Sequence, residues 1–289
     1  MRKKLLIAFV CFYSAIHAHT TDAEGPLQPL TGNFSVPSAT QVSPLVSFGQ
    51  LLVGKNVLVP ELSGYYTSYH HGYLNVIEPN FIYGILDTLS LTLFIPFTPQ
   101  SKSYSSTSTG IEDMTAQLEF AYYTKNAPNY SLQGTVVGFI QFPTGSSSAD
   151  PATGAGSFSY FLGTTFSFLS PNWYAFVSPG ISFTAFHHGR NVGNAYLYEW
   201  GFARVLPFLS PKGWVFNLEC EFDGVYSTSH KSDPDSGGNT ILLTPSICLS
   251  SQRTLLQFGV SFPIVESLNG HQDKLRYIIN YNLGVSLQF

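Results

Sequence analysis

The sequence predicts an all-β protein, a transmembrane, antiparallel, up-and-down β-barrel of about 12 strands. Three observations favour this class. Of the 289 residues, 44% are hydrophobic and only 10% are charged, against roughly 25% charged in an average soluble domain. The chain has no run of about 18 apolar residues, the length that a membrane-spanning helix needs. Segments in which apolar and polar residues alternate recur along the chain, as in strands that face lipid on one side.

The first eighteen residues read as a secretory signal peptide. Three basic residues at positions 2–4 precede an apolar stretch at 5–16, and Ala18 offers a small residue for cleavage. We therefore expect export and insertion into the outer membrane of a Gram-negative-type bacterium. Removing the signal leaves ten basic residues against seventeen acidic ones, a formal net charge of minus seven. Such a charge disfavours binding to nucleic acid.

The predicted barrel occupies 57–289. Its segments are about 10 to 14 residues long, enough for a tilted strand to cross a bilayer. The last segment is the clearest, because the odd positions from Tyr277 to Phe289 are apolar, while Asn280, Asn282, Gly284, Ser286 and Gln288 lie between them. Similar apolar stripes begin at Met114, Phe158 and Leu256. Each stripe predicts one lipid-facing side of a strand.

Short and long connections alternate between these strands, as in bacterial barrels with short periplasmic turns and longer outer loops. An even number of strands then leaves both termini on the periplasmic side. The short turns are predicted at 84–88, 125–129, 169–172, 209–213 and 250–253, and the longer outer loops at 100–110, 143–156, 187–194, 227–239 and 266–274. Only the outer loop at His70–Gly72 is short.

Aromatic residues cluster at the predicted periplasmic turns, where amphipathic rings prefer the headgroup level of a membrane. They predict an aromatic girdle made by Tyr122, Tyr123, Tyr130, Trp173, Tyr174 and Trp214.

Residues 19–56 lie between the signal and the barrel and are rich in Pro, Ser and Gly. This stretch is too short for a second domain. It is either a periplasmic tail or a plug that folds back into the barrel. A twelve-stranded barrel lies between small barrels filled by side chains and large ones with open channels, so it leaves room for an extended peptide.

Five acidic side chains are predicted to line the pore. Glu219, Glu221 and Asp223 alternate with an apolar stripe on one strand, and Glu119 and Glu199 share the inward direction on two others. A column of carboxylates in a narrow lumen favours cations. Alternatively, these acids pair with basic residues inside an ordinary polar lumen.

Two phenylalanines break the polar pattern of the lumen. Phe139 and Phe161 face inward on neighbouring predicted strands, a few residues from the loop at 143–156. They predict a contact site for an apolar solute. The alternative is that they only fill space inside the barrel.

Little in the chain points to chemistry. Cys220 and Cys248 fall on opposite strand faces, so we do not expect a disulfide. The histidines near the predicted outer loops lack metal-ligand spacing, and no metal or cofactor is expected; they are His70, His71, His187, His188, His230 and His271. The alternative is that they form a metal site or a pH-sensitive gate. A lipase would need a nucleophile and a base, but Ser229-His230 lies in a loop and no Gly-x-Ser-x-Gly turn is present. We therefore expect no enzymatic activity.

Four further stretches carry a family resemblance: 83–91 (YGILDTLSL), 110–113 (GIED), 142–145 (FPTG) and 154–157 (GAGS). In order and spacing they resemble the outer-membrane family named for the MetA-pathway of phenol degradation. The resemblance implies a barrel that transports hydrophobic compounds and is distantly similar to long-chain fatty-acid channels. It implies no catalytic residues.

The end of the chain carries a second resemblance. The stripe ending in Phe289 is similar to the last strand of outer-membrane proteins, whose terminal aromatic residue is read by the barrel insertion machinery. The expected partners are thus this machinery, outer-membrane lipid and a small-molecule solute. The expected function is a channel or transporter for small, hydrophobic or aromatic compounds. An adhesin or structural barrel is the alternative, and a lipase a more distant one.

Overall fold

The computed structural model describes residues 43–184, 194–228, 236–251 and 254–288. These residues form a sheet of fifteen strands, together with a 3-10 turn at Pro207–Leu209. The strands are β1 (Val57–Tyr69), β2 (Gly72–Leu86), β3 (Leu89–Phe94), β4 (Phe97–Ser103), β5 (Ser106–Ile111), β6 (Thr115–Ala127), β7 (Tyr130–Gln141), β8 (Ser159–Leu169), β9 (Trp173–Thr184), β10 (Asn194–Val205), β11 (Trp214–Ser227), β12 (Gly238–Ser251), β13 (Thr254–Leu268), β14 (Leu275–Val285) and β15 (Leu287–Gln288). Within these residues, no helix has the length and apolar character to span a membrane.

The sheet closes into a barrel, because β1 pairs antiparallel with β2 on one side and with β14 on the other. Two of the strands that form the barrel wall are interrupted. β3 and β4 together form one wall strand, and β5 and β6 form the next. The first interruption lies at Ile95-Pro96, where proline cannot donate to a ladder. With β15 continuing β14 along β1, the barrel has twelve wall strands, which confirms the predicted fold class.

Side chains alternate between the two faces of the wall, as the periodicity predicted. The outer face is apolar, with Leu162 57% exposed and Phe166 and Phe258 about half exposed. The inner face carries buried Ser, Thr, Asn, Gln and Glu side chains. Cys220 and Cys248 are free. Cys220 lies on the same outward face as Leu218, and Cys248 lies on the same inward face as Ser250, so the two thiols are on opposite faces of the wall. An apolar outer face with a polar interior is the arrangement that a barrel needs in lipid.

The two ends of the barrel differ in their connections. At the turn end, strands are joined at 87–88, 128–129, 170–172 and 206–213, in agreement with four of the five predicted turns. Residues 252–253 of the fifth predicted turn lie outside the described residues. At the loop end, the connection between β7 and β8 covers 142–158.

Aromatic residues lie at the turn end. Arg204 lies over the Trp173 ring at 4.4 Å, and Tyr122 and Tyr123 are both exposed because the β6 ladder shifts register between Ala121 and Tyr123. Tyr174 was also expected in the aromatic girdle at the periplasmic turns, and this was wrong. It is only 2% exposed and stacks on Phe176, since its parity points into the barrel.

The prediction of one outer loop is also wrong. The stretch 100–110 was expected to be a loop, but it lies mainly in the β4–β5 hairpin, which turns at Tyr104 with a φ of 53°. The hairpin is rich in Ser and Thr on both faces. It therefore has no apolar stripe, which was the signal used to recognise strands, although threonine favours extended structure.

Several predicted features lie outside the described residues. They are Phe289, His187, His188, the Ser229-His230 pair and residues 1–42.

Candidate functional site

Residues 43–54, here called the inner segment, lie inside the barrel. Every one of them is buried. The segment touches distant parts of the wall, because Gln257 Nε2 of β13 donates to the carbonyl of Ser43 at 2.7 Å and the N–H of Val53 donates to Ser90 Oγ of β3 at 2.9 Å. Between these contacts it crosses the lumen. Residues 43–54 of the stretch 19–56 therefore lie in the lumen.

Glu221 of β11 holds the first half of the inner segment. The N–H of Leu45 donates to its Oε1 at 2.6 Å. The N–H groups of Val46 and Ser47 donate to its Oε2 at 3.2 and 3.0 Å. Successive backbone N–H groups that converge on one anion form a binding nest, and here the protein's own carboxylate fills that nest.

Asp223 and Glu199 lie next along the path of the segment. The Ser47 hydroxyl lies 2.6 Å from Asp223 Oδ1 and 3.0 Å from Glu221 Oε2. It carries one proton and so donates to one of them at a time. The N–H of Phe48 donates to Glu199 Oε2 at 2.9 Å. Since Glu199 is paired directly with Asp223 in the β10–β11 ladder, the segment supplies donors where like charges face each other, an arrangement that is otherwise destabilising.

Glu119 of β6 holds the second half of the segment. The N–H of Gln50 donates to its Oε1 at 2.9 Å and the N–H of Leu51 donates to its Oε2 at 2.7 Å. The segment reaches this wall through a bend at Gly49 and Gln50, which have φ values of 86° and 66°. Glycine is required at the first position, because a Cβ there would lie 2.4 Å from Thr165 Oγ1.

Glu219, the fifth predicted pore-lining acid, contacts the wall. Its Oε2 accepts from Ser246 Oγ at 3.2 Å and from Gln257 Nε2 at 3.3 Å. The other four acids thus accept hydrogen bonds from the inner segment, whereas these hydrogen bonds of Glu219 come from wall residues. Within the described residues, no lysine or arginine forms an ion pair with any of the five. Their donors there are backbone N–H groups, hydroxyls and one amide.

Phe139 and Phe161, the predicted apolar contact residues, stack in the lumen. They are paired in the β7–β8 ladder, with ring centroids 4.6 Å apart and planes inclined by 9°. The ring of Phe48 packs edge-on against Phe161 at 4.6 Å. The wall makes room for these rings with glycines, since a Cβ at Gly180 would lie 2.4 Å from the Phe161 ring. Phe139 and Phe161 form an aromatic slot, and Phe48 fills it.

The stretches that carried the family resemblance meet in space near the loop end. The Asp113 carboxylate accepts the N–H of Gly145 at 2.8 Å through Oδ1 and the N–H of Ala155 at 2.7 Å through Oδ2. Three of the four stretches are therefore joined at one carboxylate, which ties the 142–158 connection to the wall.

The fourth stretch holds the point where the inner segment joins β1. The N–H of Asn56 donates to the carbonyl of Gly84 at 2.9 Å, and the N–H of Lys55 donates to Asp87 Oδ1 at 3.0 Å. A Cβ at Gly84 would lie 1.9 Å from the carbonyl oxygen of Gly54. Gly84 is thus a point of close backbone approach.

Sequence reasoning assigned no role to Phe48, Ser47, Asp87 or Asp113. One available signal was the composition of 45–53, where six of nine residues are large and apolar. That is too apolar for a hydrated tail. At the loop end, His71 Nδ1 lies 2.9 Å from Asp273 Oδ1, but the described residues contain no cluster of three or more metal-ligating side chains.

Comparisons with known proteins give the fold. No family model matches the chain, and no curated protein does. Among solved structures, an outer membrane channel from Pseudomonas putida F1 superposes with a TM-score of 0.62 at 12% identity, covering 81% of this chain and 97% of that one. The NanC porin gives a TM-score of 0.47 at 10% identity, covering 80% and 100%. LpxR from Salmonella typhimurium gives 0.41 at 10% identity, covering 81% and 100%. The chain has the fold of an outer-membrane β-barrel.

Proposed function

We propose that the protein is an outer-membrane channel for small, apolar or aromatic compounds. The observation that carries the proposal is the stacked pair of Phe139 and Phe161 inside an otherwise polar lumen. Aromatic pairs of this kind contribute about 0.5–1.5 kcal/mol beyond simple burial. A planar apolar solute would gain the same contacts in place of Phe48.

The surroundings of the slot support this proposal. Phe139 and Phe161 lie two residues from the loop-end termini of β7 and β8, so a solute entering at the loop end meets them early. The apolar outer face suits lipid, and short connections at one end fit the periplasmic side of a barrel. The fold likeness to an outer membrane channel and the motif resemblance to transporters of hydrophobic compounds point to the same class.

The test measures entry of an apolar dye into intact cells. N-phenyl-1-naphthylamine fluoresces when it passes the outer membrane and reaches lipid. Cells that produce the protein should take it up faster than cells without it, and Phe161→Leu should slow uptake because the slot loses a ring. Phe166→Leu is the matched control, since Phe166 lies on the same strand and faces outward. Its uptake rate should equal that of the wild type.

The same cells separate the alternatives. Dye uptake equal in producing and non-producing cells, together with no conductance in planar bilayers, would contradict the channel and favour an adhesin or structural barrel. Release of fatty acids from phospholipid by the purified protein would instead favour an enzyme.

A further inference from the structure

The inner segment is held by an unusual type of contact. Six backbone N–H groups, from residues 45–48, 50 and 51, donate to the carboxylates of Glu221, Glu199 and Glu119. Among the described residues, none of 43–53 makes a backbone–backbone hydrogen bond with a barrel strand. The segment is therefore not part of the sheet, and it can leave without opening any strand pair.

The segment crosses the lumen from one side of the wall to another. It runs from Gln257 on β13 to Ser90 on β3, and Phe48 fills the aromatic slot with 2% of its surface exposed. A solute that needs Phe139 and Phe161 must displace it.

We propose that the inner segment is a gate, and that Glu119, Glu199 and Glu221 are the positioning residues that hold it closed. The inference rests on the proposed channel function. In the closed state the three carboxylates accept backbone N–H groups. When the segment leaves, water enters the lumen and hydrates the same carboxylates and N–H groups. Replacing a hydrogen bond within the protein by hydrogen bonds to water changes the free energy only a little. Both states are therefore accessible, and a bound solute shifts the equilibrium between them.

The geometry ranks the three glutamates. Glu221 and Glu119 each accept on both oxygens, whereas Glu199 accepts from the segment through Oε2 alone. A glutamine has one acceptor oxygen, and its NH2 group is a donor that opposes a backbone N–H. Glu221→Gln and Glu119→Gln should therefore release the segment, while Glu199→Gln, whose amide oxygen can still accept from Phe48, should release it less.

Two measurements on the purified full-length protein test the gate. Amide hydrogen exchange reports whether residues 45–51 are held, and single-channel recording in planar bilayers reports whether the lumen is open. In Glu221→Gln, exchange at these amides should quicken on the order of tenfold, as expected when hydrogen bonds to a charged group are lost. Mean conductance should rise severalfold. Removing Thr20–Gln50 should raise conductance at least as much.

Glu78→Gln is the matched control. Glu78 is a buried, inward-facing carboxylate on β2 whose Oε1 accepts from Ser63 Oγ on β1 at 3.3 Å. The substitution removes an interior charge without touching the inner segment, so exchange at residues 45–51 should stay at the wild-type rate. Ser47→Ala is a second test in case Glu221→Gln does not fold. It leaves the wall intact and removes only one hydroxyl donor. It should quicken exchange in the same direction by a smaller factor.

Each outcome decides a different step. If exchange at residues 45–51 in Glu221→Gln, Glu119→Gln and Ser47→Ala equals that in Glu78→Gln, the carboxylates do not hold the segment and the proposal fails. If the segment is released but conductance does not rise, the segment is not a gate. If the Thr20–Gln50 deletion also inserts normally and stays silent, the channel function itself is wrong.

Discussion

Glu221 accepts a 2.6 Å hydrogen bond from the N–H of Leu45, a residue 176 positions earlier in the chain. This bond joins the inner segment to a strand near the other end of the sequence. The segment is synthesised first, but its acceptors on β6, β10 and β11 are assembled only when the wall closes. Docking of the segment therefore requires that these three strands are in place.

Glu219 offers a test of ion selectivity that leaves the gate in place. Its hydrogen bonds go to Ser246 and Gln257 on the wall, so Glu219→Gln should keep the inner segment docked. Because an interior carboxylate favours cations, the substitution should lower cation preference, measured as the reversal potential in a salt gradient. Asp150→Asn at the loop end is the control, with an unchanged reversal potential expected. An unchanged value for Glu219→Gln would place this group off the ion path.

The sequence alone supports the barrel but not the site. Strand number, wall alternation and four of the five turns follow from local periodicity, since most strands repeat the same two-residue pattern. Contacts such as that between Leu45 and Glu221 leave no local trace. The acid column was visible because Glu219, Glu221 and Asp223 alternate along β11. Two of these three carboxylates contact the inner segment. Those contacts depend on the path of residues 43–54 through the lumen, which periodicity does not encode.

Gly84 should be intolerant of a side chain. In Gly84→Ala the new Cβ would lie 1.9 Å from the carbonyl oxygen of Gly54, so the junction of the inner segment with β1 must move. We expect destabilisation of about 1–3 kcal/mol, the usual cost of overpacking, measured by urea unfolding of the heat-modifiable form. Gly138→Ala is the matched control, because its nearest contact would be an ordinary 3.7 Å from the Phe161 carbonyl. Equal unfolding midpoints for the two variants would show that the close approach at Gly84 is not required.

Asp113 should determine whether the 142–158 connection is folded. Its two oxygens accept the N–H groups of Gly145 and Ala155, and hydrogen bonds to a charged group contribute about 1.5–3 kcal/mol each. Asp113→Asn loses one acceptor, so added protease should cleave this connection in intact cells at least several times faster. Asp150→Asn is the comparison, because the contact of Asp150 with Ser106 Oγ is exposed and should matter little. Equal cleavage rates in the two variants would contradict the role of Asp113.

The last prediction concerns the direction of the barrel in the membrane. The connection after β7 covers 142–158, whereas β8 and β9 are joined by a tight turn in which the N–H of Ser170 donates to the carbonyl of Trp173 at 2.8 Å. Since barrels keep short turns on the periplasmic side and longer loops outside, an epitope inserted after Ser148 should be labelled by antibody on intact cells. An epitope after Pro171 should be labelled only after the outer membrane is permeabilised, and permeabilised cells should show both, which controls for expression. Labelling of the Pro171 epitope alone on intact cells would reverse the barrel and place the junction of the inner segment with β1 on the cell surface.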